Sequence, residues 1–354
     1  MKRNLIWTLW AAGVAAVALF PHLFGVYYAN ALILFAVWAL FAVSLNLLLG
    51  FTGLLSFGHA MYFGTGAYGA ALALNHIKGL SIVPAVIIGM IAAVILALLI
   101  APLVVRVSGT AFAMLHLAFA QLLYVLALKL RSITGGEDGI SIYPRPDLNI
   151  FGLLRIEMND QNFFYFAVIV IAAALSFLWF FTKTPFGQIM VGMRDNSKRI
   201  GYLGFKVTYT KAVVYAVSGG FAGLAGAIYA LLQSLISTND AYSMVVSVYP
   251  IMMVMLGGVL SYFGPIVGAA FFALIDEWIG SGQFQQLLLK LLSLLLPSSL
   301  AQRVSDFFQF EMILGLILVL VTLYWPLGLA GFIALQRMRW QMRRVSGGPQ
   351  RSAT

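Results

Sequence analysis

The chain alternates long apolar runs with short polar ones. Runs close to the roughly twenty residues that a helix needs to cross a hydrocarbon layer fall at 5–20, 28–49, 52–74, 82–105, 110–130, 162–181, 212–236, 244–260, 265–279 and 312–334. That pattern predicts an all-α, polytopic membrane protein with about ten transmembrane helices. The first run follows Lys2 and Arg3, and it reads as a retained span rather than a signal peptide ending near Ala16-Val17-Ala18. The third is interrupted by Gly53, Gly58, Gly64, Gly66 and Gly69 and carries Ser56, His59 and Thr65. A straight helix facing lipid has no need of so many breaks, so some of the spans are expected to be broken at glycine.

Two polar or mixed stretches do not fit a crossing. Residues 131–161 hold Gly135-Gly136-Glu137-Asp138-Gly139 with Pro144 and Pro146, which marks an aqueous loop. Residues 285–310 have an apolar core of only about ten residues, Leu287 to Leu296, with Lys290 inside it and Pro297 ending it. This segment is expected to lie along the interface. Both stretches are placed at the outer face.

Composition sharpens the class. With 354 residues, 62% of them hydrophobic and 9% charged, the chain cannot cover itself with polar surface, and its solvent must be lipid. We read residues 1–354 as a single transmembrane permease domain. The chain has no cysteine, which removes disulfides, thiolate metal sites and a cysteine nucleophile. A net charge of +10 would suggest nucleic acid in a soluble chain, but here its distribution along the spans is what counts, and no nucleic-acid partner is expected. With the N-terminus inside and ten spans, the inner segments collect Lys2, Arg3, Arg106, Lys183, Arg194, Lys198, Arg199, Lys206, Lys211, Arg337, Arg339, Arg343, Arg344 and Arg351. Basic residues gather on the cytoplasmic side of membrane proteins. Both termini are therefore expected in the cytoplasm, and an eleventh crossing at 287–296 would put the basic tail on the wrong side.

The same rule puts residues 183–211 in the cytoplasm. This stretch is too long for a simple turn, and its apolar residues Phe186, Ile189, Met193, Ile200 and Leu203 recur at helical spacing, with Asn196 interrupting that face. Pro185 suits a first helical turn, while Gly201 and Gly204 offer two places to end it. The prediction is a short helix, a turn and re-entry at Lys211.

Chemistry is sparse. The chain has no phosphate-binding G-x-x-x-x-G-K-[ST] loop, no H-E-x-x-H and no paired carboxylates placed within a span, so neither catalytic residues nor a metal site are expected and energy must come from elsewhere. The stretch from Gly53 to His59 recurs loosely as Gly258 to Gly264. Broken helices at membrane depth occur where backbone lines a cavity, which makes Asn46, Gly53, Ser56, Gly58, His59, Gly258 and Gly264 candidates for a translocation path. Close helix packing through small residues is the alternative for each glycine. A neutral histidine bonded to a neighbouring helix is the alternative for His59 and His116.

Several of these residues occur together in one family. Ser44-Leu-Asn-Leu-Leu-Leu-Gly50, Gly53-Leu-Leu-Ser-Phe-Gly-His59, Gly64-x-Gly66-Ala67-Tyr68, Arg194-Asp-Asn196, Leu203-Gly204, Ala222-Gly-Leu-Ala-Gly-Ala227 and Leu256-Gly-Gly258 with Gly264-Pro-Ile-Val-Gly-Ala269 resemble the LivM-type permease of branched-chain amino acid ABC importers. The resemblance runs from about Ser44 to Ala270. It implies a bacterial inner-membrane subunit that pairs with a LivH-type second permease, and two LivG/LivF-type ATPase subunits that carry ATP and Mg. It also implies a periplasmic substrate-binding protein, and no cofactor on this chain itself. Residues 183–203 then become the coupling loop, with Arg194, Asp195, Asn196, Ser197, Gly201 and Gly204 at its centre. Urea and short amides are solutes of the same family branch. An ion-coupled carrier working alone would call for carboxylates at mid-span, and none is evident.

Overall fold

The structure, a computed structural model, describes residues 2–280 except 144 and 151–153, together with 286, 289–290, 293, 300, 310–324 and 328. The expected interfacial segment 285–310 and the basic tail fall almost wholly outside the described residues. The chain divides into two compact units, Met1–Pro250 and Ile251–Thr354.

The protein is mostly helical, as lipid demands of a backbone that must satisfy its own polar groups. Helix α1 runs Lys2–Asn46 with non-helical geometry at Gly25, where two separate spans were expected. A five-residue π-helical turn, Leu47–Phe51, continues it. After a non-helical stretch come α2 (Ala60–His76), α3 (Ile82–Val104), α4 (Thr110–Lys129) and the single turn α5 (Arg131–Thr134). Then follow α6 (Asp160–Lys183), α7 (Pro185–Tyr202), α8 (Val207–Gln233), α9 (Thr238–Tyr242) and α10 (Met244–Gly257). The second unit adds α11 (Gly264–Gly280) and α12 (Phe310–Tyr324). Among the described residues six helices are long and apolar enough to cross a membrane: Leu19–Phe51, Ile82–Val104, Thr110–Lys129, Asp160–Lys183, Val207–Gln233 and Thr238–Gly257. Helices α2 and α11, at 17 residues each, are shorter.

The all-α expectation needs one correction. Four short strands form two antiparallel pairs: Ile140–Ser141 (β1) with Leu235–Ile236 (β4), and Leu148–Ile150 (β2) with Leu154–Ile156 (β3). They sit in and beside the polar loop 131–161, where water permits backbone groups to seek partners outside a helix. Strands this short carry no periodic signal in the sequence. Asp138 of this loop pairs with Arg131, and both are exposed, so the pair adds little to stability.

The core of the first unit is α2 enclosed by α3 and α8, and small residues set its geometry. A Cβ placed on Gly66 would lie 2.0 Å from the carbonyl oxygen of Gly223, and one on Gly226 would lie 1.9 Å from that of Phe63. Lipid gives helices no hydrophobic reason to associate, so van der Waals contact between close backbones supplies the attraction. Trp38 of α1 stacks on Phe63 of α2, with ring centroids 5.8 Å apart.

Helix α8 separates two ends of the unit. Its 27 residues extend about 40 Å at ~1.5 Å per residue, with α7 joined to its start and β4 following its end. The loop 131–161 is tied to the latter end by Arg145. Its Nε donates to the Leu231 carbonyl at 3.0 Å and its Nη2 to that of Leu232 at 3.2 Å, while Nη1 bonds Asp160 Oδ1 at 2.6 Å and the guanidinium lies over the Phe163 ring. Terminal helix carbonyls lack partners of their own and favour a cation. Arg145→Ala is expected to destabilise this unit by about 2 kcal/mol, with Arg145→Lys recovering only part. Thermal unfolding in detergent measures both.

Candidate functional site

Helix α7 is built by local signals that the sequence displays. Thr184 caps its start by accepting the Gly187 N–H, and Pro185 occupies the first turn, where its missing donor costs nothing. At the far end Phe205 N–H reaches the Ile200 carbonyl at 3.3 Å and Gly204 N–H reaches that of Gly201 at 3.0 Å. Gly204 takes a φ of +90°. This bond pair around a left-handed glycine is the Schellman ending, so of the two candidate terminators it is Gly204 that ends the helix.

The expected apolar face is corrected in two places. Asn196 leaves helical geometry (φ −158°, ψ 94°), and its side-chain oxygen accepts the Arg199 N–H at 3.0 Å, which makes it the cap of a second short helical segment. The register of the first segment therefore does not continue into the second. Gly187, Met190 and Met193 form the buried line, Phe186, Ile189 and Ile200 are half-buried, and Leu203 is exposed. Ser197 Oγ folds back to the Met193 carbonyl at 2.7 Å, and Gly201 is exposed.

Arg194 points the other way, into the unit. Its Nη1 donates to the Gly50 carbonyl at 2.8 Å, and its Nε and Nη2 bond Asp195 Oδ1 at 3.2 and 3.1 Å. Gly53, with a φ of +72°, lies against its aliphatic stem. The middle of the predicted coupling loop and the predicted helix break are therefore in direct contact, a meeting of residues 144 positions apart that local spacing cannot reveal.

Beyond the break the remaining candidates of the first unit are buried. Asn46, Ser56 and His59 have no exposed surface, and a Cβ on Gly58 would lie 2.2 Å from the His116 carbonyl oxygen, so that glycine serves a close backbone approach. Ser44 Oγ donates to the Phe41 carbonyl at 2.7 Å and lies 3.0 Å from His59 Nε2. With its one proton already used, Ser44 must accept, so His59 carries its hydrogen on Nε2. His116 Nε2 lies 3.0 Å from the Tyr215 hydroxyl and 3.3 Å from that of Tyr62. In the second unit Gly258 and Gly264 face each other, a Cβ on Gly264 lying 2.2 Å from the Gly258 carbonyl oxygen.

Residues 27–324 match the family described as "Branched-chain amino acid transport system / permease component". The chain belongs to this permease family. It is 28% identical over 253 residues to "High-affinity branched-chain amino acid transport system permease protein LivM" of Escherichia coli (strain K12), which covers 66% of this chain and 59% of that protein. The protein of the same name from Salmonella typhimurium is also 28% identical, over 262 residues, 68% of this chain and 61% of that one. The chain thus spans about three-fifths of the length of these two relatives. "Probable branched-chain amino acid transport permease protein LivM" of Methanocaldococcus jannaschii is 24% identical over 338 residues, 84% of this chain and 91% of its own length. No solved structure matches the chain. Membership of the permease family and the six apolar helices make this a multi-pass membrane protein.

Sequence reading overlooked one feature of this permease. At the end of α7 and just beyond it, Tyr202 (89%), Leu203 (66%), Phe205 (45%) and Tyr209 (67%) are exposed beside Lys198, Arg199 and Lys206. Three aromatic residues within eight positions of a basic, non-spanning stretch were the available signal.

Proposed function

We propose that this chain is a permease subunit of an ATP-driven importer for branched-chain or related amino acids. It forms the path with a LivH-type second permease, while two LivG/LivF-type ATPase subunits bind ATP and Mg and a periplasmic binding protein delivers the solute. The observation that carries this reading is α7: a polar-faced helix set between two helices long enough to cross a membrane, exposed outward and bonded inward to the helix break through Arg194. The family match and the names of the relatives support the solute class.

On this reading the protein is one permease domain of ten crossings in the bacterial inner membrane, with both termini and α7 in the cytoplasm and 131–161 and 285–310 at the outer face. Arg194, Asp195, Asn196, Ser197, Gly201 and Gly204 serve coupling. Asn46, Gly53, Ser56, Gly58 and His59, with Gly258 and Gly264, flank the path. ATP-driven closure of the ATPase subunits moves α7, and the spans joined to it switch access between the two sides.

The test is expression with the neighbouring subunits, co-purification, and ATP hydrolysis with and without leucine plus the binding protein. Hydrolysis that rises with the loaded binding protein supports the importer. A rise with urea or a short amide but not leucine reassigns the solute, and transport by the chain alone down an ion gradient replaces the reading with a secondary carrier. The exposed patch at the end of α7 gives a second check. Aromatic anchors dominate protein interfaces, so Tyr202→Ala with Leu203→Ala is expected to weaken capture of the ATPase subunits by roughly 30-fold, about 2 kcal/mol. Unchanged capture places the ATPase contact elsewhere.

A further inference from the structure

The helix that ends at residues 47–51 leaves terminal carbonyls to be satisfied, and they are satisfied in two different ways. The Leu48 carbonyl accepts Thr52 Oγ1 at 2.7 Å and the Leu54 N–H at 2.8 Å, and the Leu49 carbonyl accepts the Gly53 N–H at 3.2 Å. These bonds are local. The Gly50 carbonyl instead takes Nη1 of Arg194, from α7.

Three further observations make this contact a built one. Asp195 holds the Nε and Nη2 side of the guanidinium, which fixes Nη1 toward Gly50. A Cβ on Gly53 would stand 3.0 Å from Arg194 Cγ, so a glycine there leaves room for the arginine stem. Three residues past Gly53 the chain buries Ser56, and three further on His59, whose Oγ and Nδ1 are enclosed without a hydrogen-bond partner among the described residues. Buried polar groups are normally satisfied, and a segment holding two that are not is one with a second arrangement to adopt.

We propose that Arg194 is a positioning residue that works inward rather than on the ATPase: it latches α7 to the break at 52–59, and the transport cycle alternates between this latched arrangement and an open one in which the break has moved. The proposal rests on reading α7 as the coupling element. It assigns to Arg194 the transmission step between α7 and the Ser56–His59 segment.

The absence of cysteine makes the test clean. Gly53→Cys with Arg194→Cys introduces the chain's two thiols, and a Cβ on residue 53 lies 3.7 Å from Cβ of residue 194, within the roughly 3.5–4.5 Å that a disulfide bridges. In membranes holding the whole complex, a mild oxidant is expected to cross-link the pair without nucleotide. Trapping with MgATP and vanadate is expected to slow cross-linking at least about fivefold. The cross-linked complex should lose leucine uptake from the loaded binding protein, and dithiothreitol should restore it. Reversible loss of this kind separates a moving latch from a merely structural contact. Failure to cross-link, equal rates in both states, or uptake by the locked complex overturns the latch.

Should the double variant fail to assemble, Arg194→Met keeps the stem without donors and Arg194→Lys keeps one donor. The Met variant is expected to lower uptake per ATP about tenfold and the Lys variant markedly less, and equal losses overturn the proposal. If the unaltered chain neither assembles with ATPase subunits nor supports uptake, the permease reading falls and the latch with it. If the unaltered complex transports and only these variant results are negative, the latch alone falls.

Discussion

Gly66→Leu is expected to abolish recovery of a folded chain. The first atom added at this position, Cβ, would already stand 2.0 Å from the Gly223 carbonyl oxygen and 2.4 Å from its Cα. Both are backbone atoms of α8 and cannot swing aside as the end of a flexible side chain does. Helix α8 would have to move away from α2 as a body. In doing so it would loosen Gly226 from Phe63 and Gly223 from Ala93, where added atoms would likewise meet at 1.9 and 2.2 Å. Overpacking in an interior that can relax costs about 1–3 kcal/mol. Here it breaks a whole helix seam, in a medium where close contact supplies the attraction, and a loss beyond ~4 kcal/mol belongs to such a mechanism. Expression with a fluorescent tag and size-exclusion in detergent measures it: the monodisperse peak should vanish for Gly66→Leu. At Gly79, by contrast, a Cβ would meet nothing within 4 Å, and Gly79→Ala should keep the peak. A normal peak for Gly66→Leu would disprove the seam.

The second large effect is functional. Arg194→Glu with Gly204→Leu is expected to leave membrane insertion intact while removing uptake and the ATP hydrolysis linked to it. Glutamate at 194 replaces a donor by an anion facing the Gly50 carbonyl oxygen and Asp195, two groups of the same polarity. Leucine at 204 meets no atom within 4 Å, so its cost is purely conformational. A φ of +90° disfavours any residue with a Cβ by about 1–2 kcal/mol, which opens the Schellman ending and frees the end of α7. Coupling energies of 1–3 kcal/mol correspond to changes of roughly 5–150-fold, so loss of the contact lowers uptake by up to ~100-fold. Radiolabelled leucine uptake into proteoliposomes, with ATP hydrolysis in parallel, checks it. Uptake at the unaltered rate would sink the coupling role of α7.

Several elements were legible because their causes are local. Thr184-Pro185 starts α7 and Gly204 ends it through the backbone a few residues away. The polar loop 131–161 follows from glycine, proline and charge. Helices α3, α4 and α6 lie within a few residues of the runs that predicted them, since length and hydropathy alone define a span. The interrupted third run resolves into a non-helical stretch and the short α2, as its glycines implied.

Other features depended on partners far along the chain. The separate first and second spans became one helix broken at Gly25, because nothing at 21–27 marks a polar turn strongly enough to be read. Asn196 looked like a polar interruption of an apolar face, whereas its side chain caps a new segment and shifts the register after it. Gly58 and Gly66 could each have lined a path or packed a seam; both stand within 2.2 Å of another element's backbone, and only the neighbour's position distinguishes the two roles. The partners of His59 and His116 lie 15 to 99 residues away.

Hydrophobic content and run length, with almost no charge to cover the surface, establish a lipid-embedded helical protein, and motif order points to its family. These are properties of single segments in a solvent, and one dimension holds them. The direction of Arg194, the glycine that is a seam and the hydroxyl that orients His59 are relations between segments. They arise because helices in lipid gain attraction only by close, specific contact, and which residues meet there is decided when the chain packs.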